Sequence, residues 1–278
     1  MQVPGCELAF IGGSSSLSIE VPESLGLDYL QVVENGLVFS TPYGLSPEFK
    51  LINIQGEQDE RKVLSCRMHG WRSGVSRADA SRQVFWVLQQ AGVKRVLAEG
   101  GVGAINHLLK PRDVIIPHDY MDFSMRKDVG LEERYLLVMR EALCGVMRKH
   151  LLELLEKSWK YRVFDRGVYV NTDGRHFESP SEVAFFKMAG GDIVGQSICP
   201  EVYLAREIGA CFAGLYLVVN YAEGIVSPWE HEELAEIFYG ESLTLARTVF
   251  EFFRTLPTGR ECNCAELRKE TLLKEVYK

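Results

Sequence analysis

Three short segments in the C-terminal third carry residue types that could do chemistry together: Gly174-Arg175-His176-Phe177-Glu178, Gln196-Ser197-Ile198-Cys199-Pro200-Glu201 and Val218-Val219-Asn220-Tyr221. They supply an aromatic beside a carboxylate, a small hydroxyl at a strand-to-helix turn, and an amide at a strand end. Such a set can build one pocket that stacks a flat ring, reads its edge and holds an anion. Gly12-Gly13-Ser14-Ser15-Ser16 and Gly100-Gly101-Val102-Gly103 each follow an apolar run. Their glycines let backbone N–H groups approach a ligand, and such groups suit an anion. An ordinary flexible turn is the plain alternative. The first segment, Gly12 to Ser16, is neither a G-x-G-x-x-G nor a Walker loop, so no dinucleotide or ATP follows. Cys66-Arg67-Met68-His69-Gly70-Trp71 ends another apolar run. Strand alternation would set Arg67, His69 and Trp71 on one face, with a surface Arg/His pair as the alternative.

The elements that must position these residues alternate along the chain. Strands are expected at Cys6–Ile11, Phe49–Gln55, Lys62–Met68, Val96–Ala98, Asp113–Pro117, Gly167–Asn171, Asp192–Val194 and Ala210–Asn220. Ser76 reads as an N-cap, with Asp79 three residues on, for a helix running to Ala91 and stopped by Gly92. Leu136, Met139, Leu143, Met147, Leu151 and Leu155 keep helical spacing, which predicts a long helix from about Glu133 to Lys157. Ser181 starts a helix, Pro200 opens another at the tolerated first-turn position, and Trp229–Leu256 is a terminal helix. Such alternation predicts an α/β fold, whose ligands bind beyond the strand C-termini.

The chain has 278 residues, 46% of them hydrophobic, which favours one large domain over two. Its net charge of -7 and the lack of a basic run argue against a nucleic-acid surface. The longest apolar stretches are too short to span a bilayer, and the N-terminus lacks the positive region of a secretory signal. Seven cysteines, an odd number and mostly in apolar runs, point to a reducing cytoplasm. Cys262-Asn263-Cys264 could bind metal or oxidise. No second Cys/His pair lies near it in sequence to complete a zinc site, so no metal is expected.

The chain resembles the trimeric purine nucleoside phosphorylases and methylthioadenosine phosphorylases over nearly its whole length. The resemblance rests on Ile11-Gly12-Gly13, Thr41-Pro42-Tyr43-Gly44, Gly101-Val102-Gly103-Ala104-Ile105-Asn106, Pro200-Glu201-Val202-Tyr203-Leu204-Ala205-Arg206-Glu207, His231-Glu232-Glu233 and the Cys262-Asn263-Cys264 tail. It implies a single domain over 1–278 with a three-layer fold, a central twisted mixed sheet flanked by helices. It also implies a homotrimer in the cytoplasm and phosphorolysis of a nucleoside. Inorganic phosphate would be the co-substrate, with no metal or organic cofactor. Carried over residue by residue, Ser14, Arg67, His69, the Gly101 amide and Ser197 would hold phosphate. Phe177 would stack on the purine, Glu178 would take its N1 edge, and Asn220 would face O6 and N7. Asn220 and His69 would be the catalytic residues. Trp71, Gln196 and His231 would lie along the sugar.

Asn rather than Asp at position 220 looks like the 6-oxopurine branch. A neutral amide can accept from N7–H and donate to O6, whereas an aspartate would set acceptor against acceptor. Glu178 would accept from the N1–H that only the 6-oxo form carries.

The chain also departs from the family. Gln196 stands where a ribose-packing Met is usual, and Glu99 where a Thr or apolar residue is usual. Met68 stands where the methylthioadenosine branch has Arg, and Asp122-Phe123 lacks the family's usual continuation. A carboxylate near a phosphate costs affinity unless a cation offsets it. The resemblance therefore implies a 6-oxopurine nucleoside phosphorylase, for inosine, guanosine or a 5'-modified inosine such as methylthioinosine. A nucleosidase using water on the same scaffold, a methylthioadenosine phosphorylase and a non-catalytic nucleoside-binding protein are the other readings.

Overall fold

The computed structural model describes residues 2–56, 59–132, 134–259 and 261–272. In chain order the elements are β1 (Leu8–Ile11), β2 (Leu30–Leu37), β3 (Ser40–Thr41), β4 (Gly44–Leu45), β5 (Phe49–Gln55), β6 (Glu60–Cys66), α1 (Arg77–Ala91), β7 (Arg95–Ala104), β8 (Val114–Ile115), β9 (Asp119–Asp122), β10 (Tyr135–Leu137), α2 (Gly145–Ser158), β11 (Val163–Phe164), β12 (Val168–Asn171), α3 (Pro180–Met188), β13 (Ile193–Gly195), α4 (Ile198–Glu207), β14 (Cys211–Tyr221), α5 (His231–Thr255) and β15 (Arg268–Glu270).

An eleven-stranded mixed sheet runs β11-β8-β14-β7-β1-β6-β5-β2, with β13, β12 and β9 continuing from the end of β7. β1, β7 and β14 are buried almost throughout, as strands covered on both faces must be. On one face Val84, Phe85 and Leu88 of α1 and Val202 and Leu204 of α4 pack on Ile11, Leu64 and Val96. On the other, Leu151 and Leu155 of α2 and Val249, Phe250 and Phe253 of α5 pack on Phe10, Leu97 and Leu215. The expected three-layer architecture is present.

β1 pairs in parallel with β6 and β7, and β14 in parallel with β7. Parallel pairing brings four C-terminal strand ends to one rim. The Gly12–Ser16 loop, the Arg67–Trp71 segment, the glycines of β7 and Asn220 therefore sit together.

Local signals hold where they are short-range. Ser76 Oγ accepts from Asp79 N–H at 3.0 Å, and Gly92 closes α1 in the left-handed region at φ 79°. α3 starts one residue earlier than expected, at Pro180, because Ser179 and Glu182 form a capping box with Pro180 in the first turn. Continuous helix in α4 begins at Pro200, since Cys199 before it is extended.

Two expectations fail. The long helix is only α2, from Gly145; residue 133 lies outside the described residues. Leu136 belongs to β10, which pairs with β15 of the tail, and Leu143 precedes the helix. A leucine every three or four residues cannot reveal a strand partner more than 130 residues away. Gly100–Gly103 is not a turn either. The β14 ladder carries β7 through these glycines to Ala104.

Candidate active site

The rim encloses a cavity of about 400 Å³. Ser14, His69, Trp71, Gly101, Phe177, Glu178, Gln196, Ser197 and Asn220 all line it. The fold thus gathers nine of the eleven residues expected at the site.

One end of the cavity suits an anion. Ser14 opens a short 3-10 turn, and its Oγ accepts from the Gly101 N–H at 3.1 Å. His69 sits in the left-handed region at φ 55° within another 3-10 turn, so strand alternation stops at Cys66. Its Nδ1 lies 2.7 Å from Glu201 Oε1, and both side chains are buried. Nε2 is thereby left toward the Gly13 backbone, where an added Cβ would come within 2.9 Å of it. Ser197 is held by Tyr169: the Ser197 N–H donates to the phenol oxygen at 3.4 Å, and the two hydroxyls are 3.2 Å apart. Burial pushes the Tyr169 phenol far above its ordinary pKa, so it stays protonated.

The other end suits a flat heterocycle. Phe177 is half exposed, with its ring 4.7 Å from that of Trp229. Glu178 is buried and accepts from Thr172 Oγ1. A register shift between Val218 and Asn220 in the β7–β14 ladder lets both Val219 and Asn220 line the cavity. Asn220 Nδ2 donates to Tyr221 O at 2.8 Å, while its buried Oδ1 has no partner among the described residues. A buried acceptor left unmade is costly. This atom is ready for a ligand donor.

Gln196 and Trp71 also line the cavity, the Trp71 ring 5.0 Å from that of His69. Gln196 donates to the His176 carbonyl at 3.1 Å. The Arg77 guanidinium stacks 4.0 Å from the Trp71 ring centroid.

Three placements correct the sequence reading. Arg67 is outside the lining. It donates to the Ile19 carbonyl and, at 3.2 Å, to Glu20, because its strand has ended and the chain turns away before His69. His231 is exposed at the start of α5, and Leu234 and Phe238, three and seven residues on, line the cavity instead. Glu99 does not face the anion end. Its buried Oε1 accepts from Gly13 N–H at 2.6 Å, Ser16 N–H at 3.2 Å and Ser16 Oγ at 2.6 Å. It ties down the first glycine turn.

Sequence reasoning also missed groups. Glu201 was legible only as part of a helix start, although a carboxylate in so apolar a segment calls for a buried partner. Arg77 follows directly on the Ser76 cap, and Tyr169 lies within an expected strand. Nothing local marked Arg77 as facing the site or Tyr169 as holding Ser197.

The profile of the phosphorylase superfamily matches residues 40–254. A probable 6-oxopurine nucleoside phosphorylase of Korarchaeum cryptofilum is 35% identical over 205 residues, 68% of this chain and 76% of that one. A probable S-methyl-5'-thioinosine phosphorylase of Methanothermobacter thermautotrophicus is 33% identical over 228 residues, 81% of this chain and 78% of that one. Among solved structures, a methylthioadenosine phosphorylase from Schistosoma mansoni in complex with adenine superposes with a TM-score of 0.75. It is 20% identical, over 94% of this chain and 95% of that one, a likeness of fold.

Proposed function

The chain belongs to the phosphorylase superfamily, and from that premise we propose that it cleaves 6-oxopurine nucleosides with phosphate, giving free base and pentose 1-phosphate. The observation that carries this reading is the unpartnered Oδ1 of Asn220 in the same cavity as the buried Glu178 carboxylate. Two acceptors suit a purine with N–H donors at N7 and N1, as a departing 6-oxopurine has. The second amide N–H of Asn220 can serve O6. Phe177 stacks on the ring.

Phosphate sits between Ser14, the Gly101 backbone of β7, His69 and Ser197. Its oxygen attacks the anomeric carbon as the bond to N9 lengthens. The bonding electrons pass into the purine, N7 takes a proton from solvent, and Asn220 Oδ1 accepts from the N7–H so formed while the remaining amide N–H donates to O6. Trp71 and Gln196 line the sugar between them. The protein's work is positioning and electrostatic stabilisation, with no organic cofactor or catalytic metal. The relatives named for methylthioinosine support a 5'-modified inosine among the substrates.

The whole of 1–278 acts as one nucleoside phosphorylase domain, assembled as a homotrimer in the cytoplasm. Exposed Phe123, Met125, Phe185 and Met188 support the assembly, being large apolar side chains that an interface would cover. No helix among the described residues is long and apolar enough to cross a membrane.

Base release from inosine and adenosine, with and without phosphate, followed by ultraviolet absorbance, tests the reading. Phosphate-dependent cleavage of inosine with ribose 1-phosphate as product is expected. Full-rate release in phosphate-free buffer, giving ribose, would overturn it.

A further inference from the structure

Four cysteines far apart in sequence converge away from the nucleoside cavity. Cys144 is the N-cap of α2, Cys211 opens β14, and Cys262 and Cys264 lie in the tail beyond α5. Their four sulfurs all lie within 4.8 Å of one another. The Cys211 and Cys262 sulfurs are 3.3 Å apart, well beyond the roughly 2.05 Å of an S–S bond. A tetrahedral zinc tetrathiolate with Zn–S near 2.3 Å places its sulfurs about 3.8 Å apart. The observed cluster needs only small side-chain shifts to meet that geometry. Cys144, Cys211 and Cys264 are buried, and the half-buried Cys262 leaves a way in for the ion.

We propose that Cys144, Cys211, Cys262 and Cys264 form a structural zinc site that staples the C-terminal tail to the start of α2 and the start of β14. The sequence expectation of no metal rested on the absence of a second pair near Cys262-Asn263-Cys264. The fold supplies that pair from Cys144 and Cys211. Four thiolates and no open position make a closed site, suited to structure and not to catalysis. On binding, four S–H bonds give four Zn–S bonds, and four protons pass to solvent. The resulting complex carries a net charge of about −2. Cys144 sits at the N-terminus of α2, whose unpaired N–H groups favour negative charge. The buried Arg206 guanidinium donates to the Cys264 carbonyl at 2.8 Å, placing a cation against the same segment.

The staple closes a long stretch of chain. β15, directly after Cys264–Leu267, pairs with β10 only if the tail is held against the body. Asn220 lies nine residues along β14 from Cys211, roughly 30 Å in an extended strand. The metal is therefore expected to support stability and leave nucleoside cleavage alone.

The test uses the full chain, purified under reducing conditions without chelator. Elemental analysis should find one zinc per chain. Stripping and reloading with cobalt should give the intense thiolate-to-cobalt charge-transfer and d–d absorption of a tetrahedral tetrathiolate site. Cys211→Ser and Cys262→Ser should each lose the zinc and lower the thermal midpoint, with kcat/KM at room temperature unchanged. If either variant fails to fold, the cobalt spectrum of the unmutated chain decides. An unreduced intact mass short of four hydrogens with no bound zinc would show two disulfides and overturn the proposal. So would a cobalt-loaded chain lacking the tetrathiolate spectrum.

Discussion

The Nδ1 of His69 lies 2.7 Å from Oε1 of Glu201, with both side chains buried and 132 residues between them in sequence. The carboxylate fixes the ring orientation, and Nε2 is turned toward the Gly13 backbone at the anion end of the cavity. A histidine oriented by a buried carboxylate is a positioned group, not a freely turning one. Glu201→Gln should keep the contact but weaken its charge. The phosphate KM should rise about 10- to 100-fold, matching the roughly 1.5–3 kcal/mol of a charged hydrogen bond, while the nucleoside KM moves little. Initial rates over a phosphate series check this, and an unchanged phosphate KM would show that the pair is structural only.

In the proposed reaction Asn220 selects the base. Inosine-type substrates should exceed adenosine-type ones in kcat/KM by about 10²-fold or more, because a mismatched polar edge leaves buried groups unpaired. Asn220→Asp should shift activity toward 6-amino purines. A wild-type preference for adenosine or methylthioadenosine would contradict the assignment of both Asn220 and Glu178.

Arg67 is turned toward Glu20 and the Ile19 carbonyl. An exposed ion pair is worth about 0–1 kcal/mol, so Arg67→Ala should change the phosphate KM by no more than about fivefold. A rise of a hundredfold would mean that Arg67 swings into the cavity when phosphate binds.

Glu99 acts as an internal anion for the first glycine turn. In Glu99→Ala, the Gly13 and Ser16 N–H groups and the Ser16 hydroxyl lose their shared acceptor. Leaving buried donors unmade costs about 1–3 kcal/mol each. The variant should melt at a lower temperature and bind phosphate more weakly, because Ser14 sits in the loosened turn. Tighter phosphate binding would instead mean that the carboxylate opposes the anion. Thermal denaturation and phosphate titration on the same preparation separate the two.

Whatever depends on neighbours a few residues away was fixed by the sequence itself. The Ser76 cap and Gly92 stop of α1, the Pro200 helix start and the apolar strands are set by local backbone chemistry and by burial on both faces of a parallel sheet. The motifs also located most of the cavity, because parallel strands must bring their C-terminal ends to one rim. Only the tertiary structure could decide where individual side chains point. Arg67 leaves the site because the chain bends after Cys66. Asn220 enters it through a shift in the ladder between β7 and β14. The partners of His69, Glu99 and Cys262 lie 132, 86 and 51 residues away, and no local pattern encodes such pairings. They arise when the sheet closes and the polar groups it buries take the partners within reach.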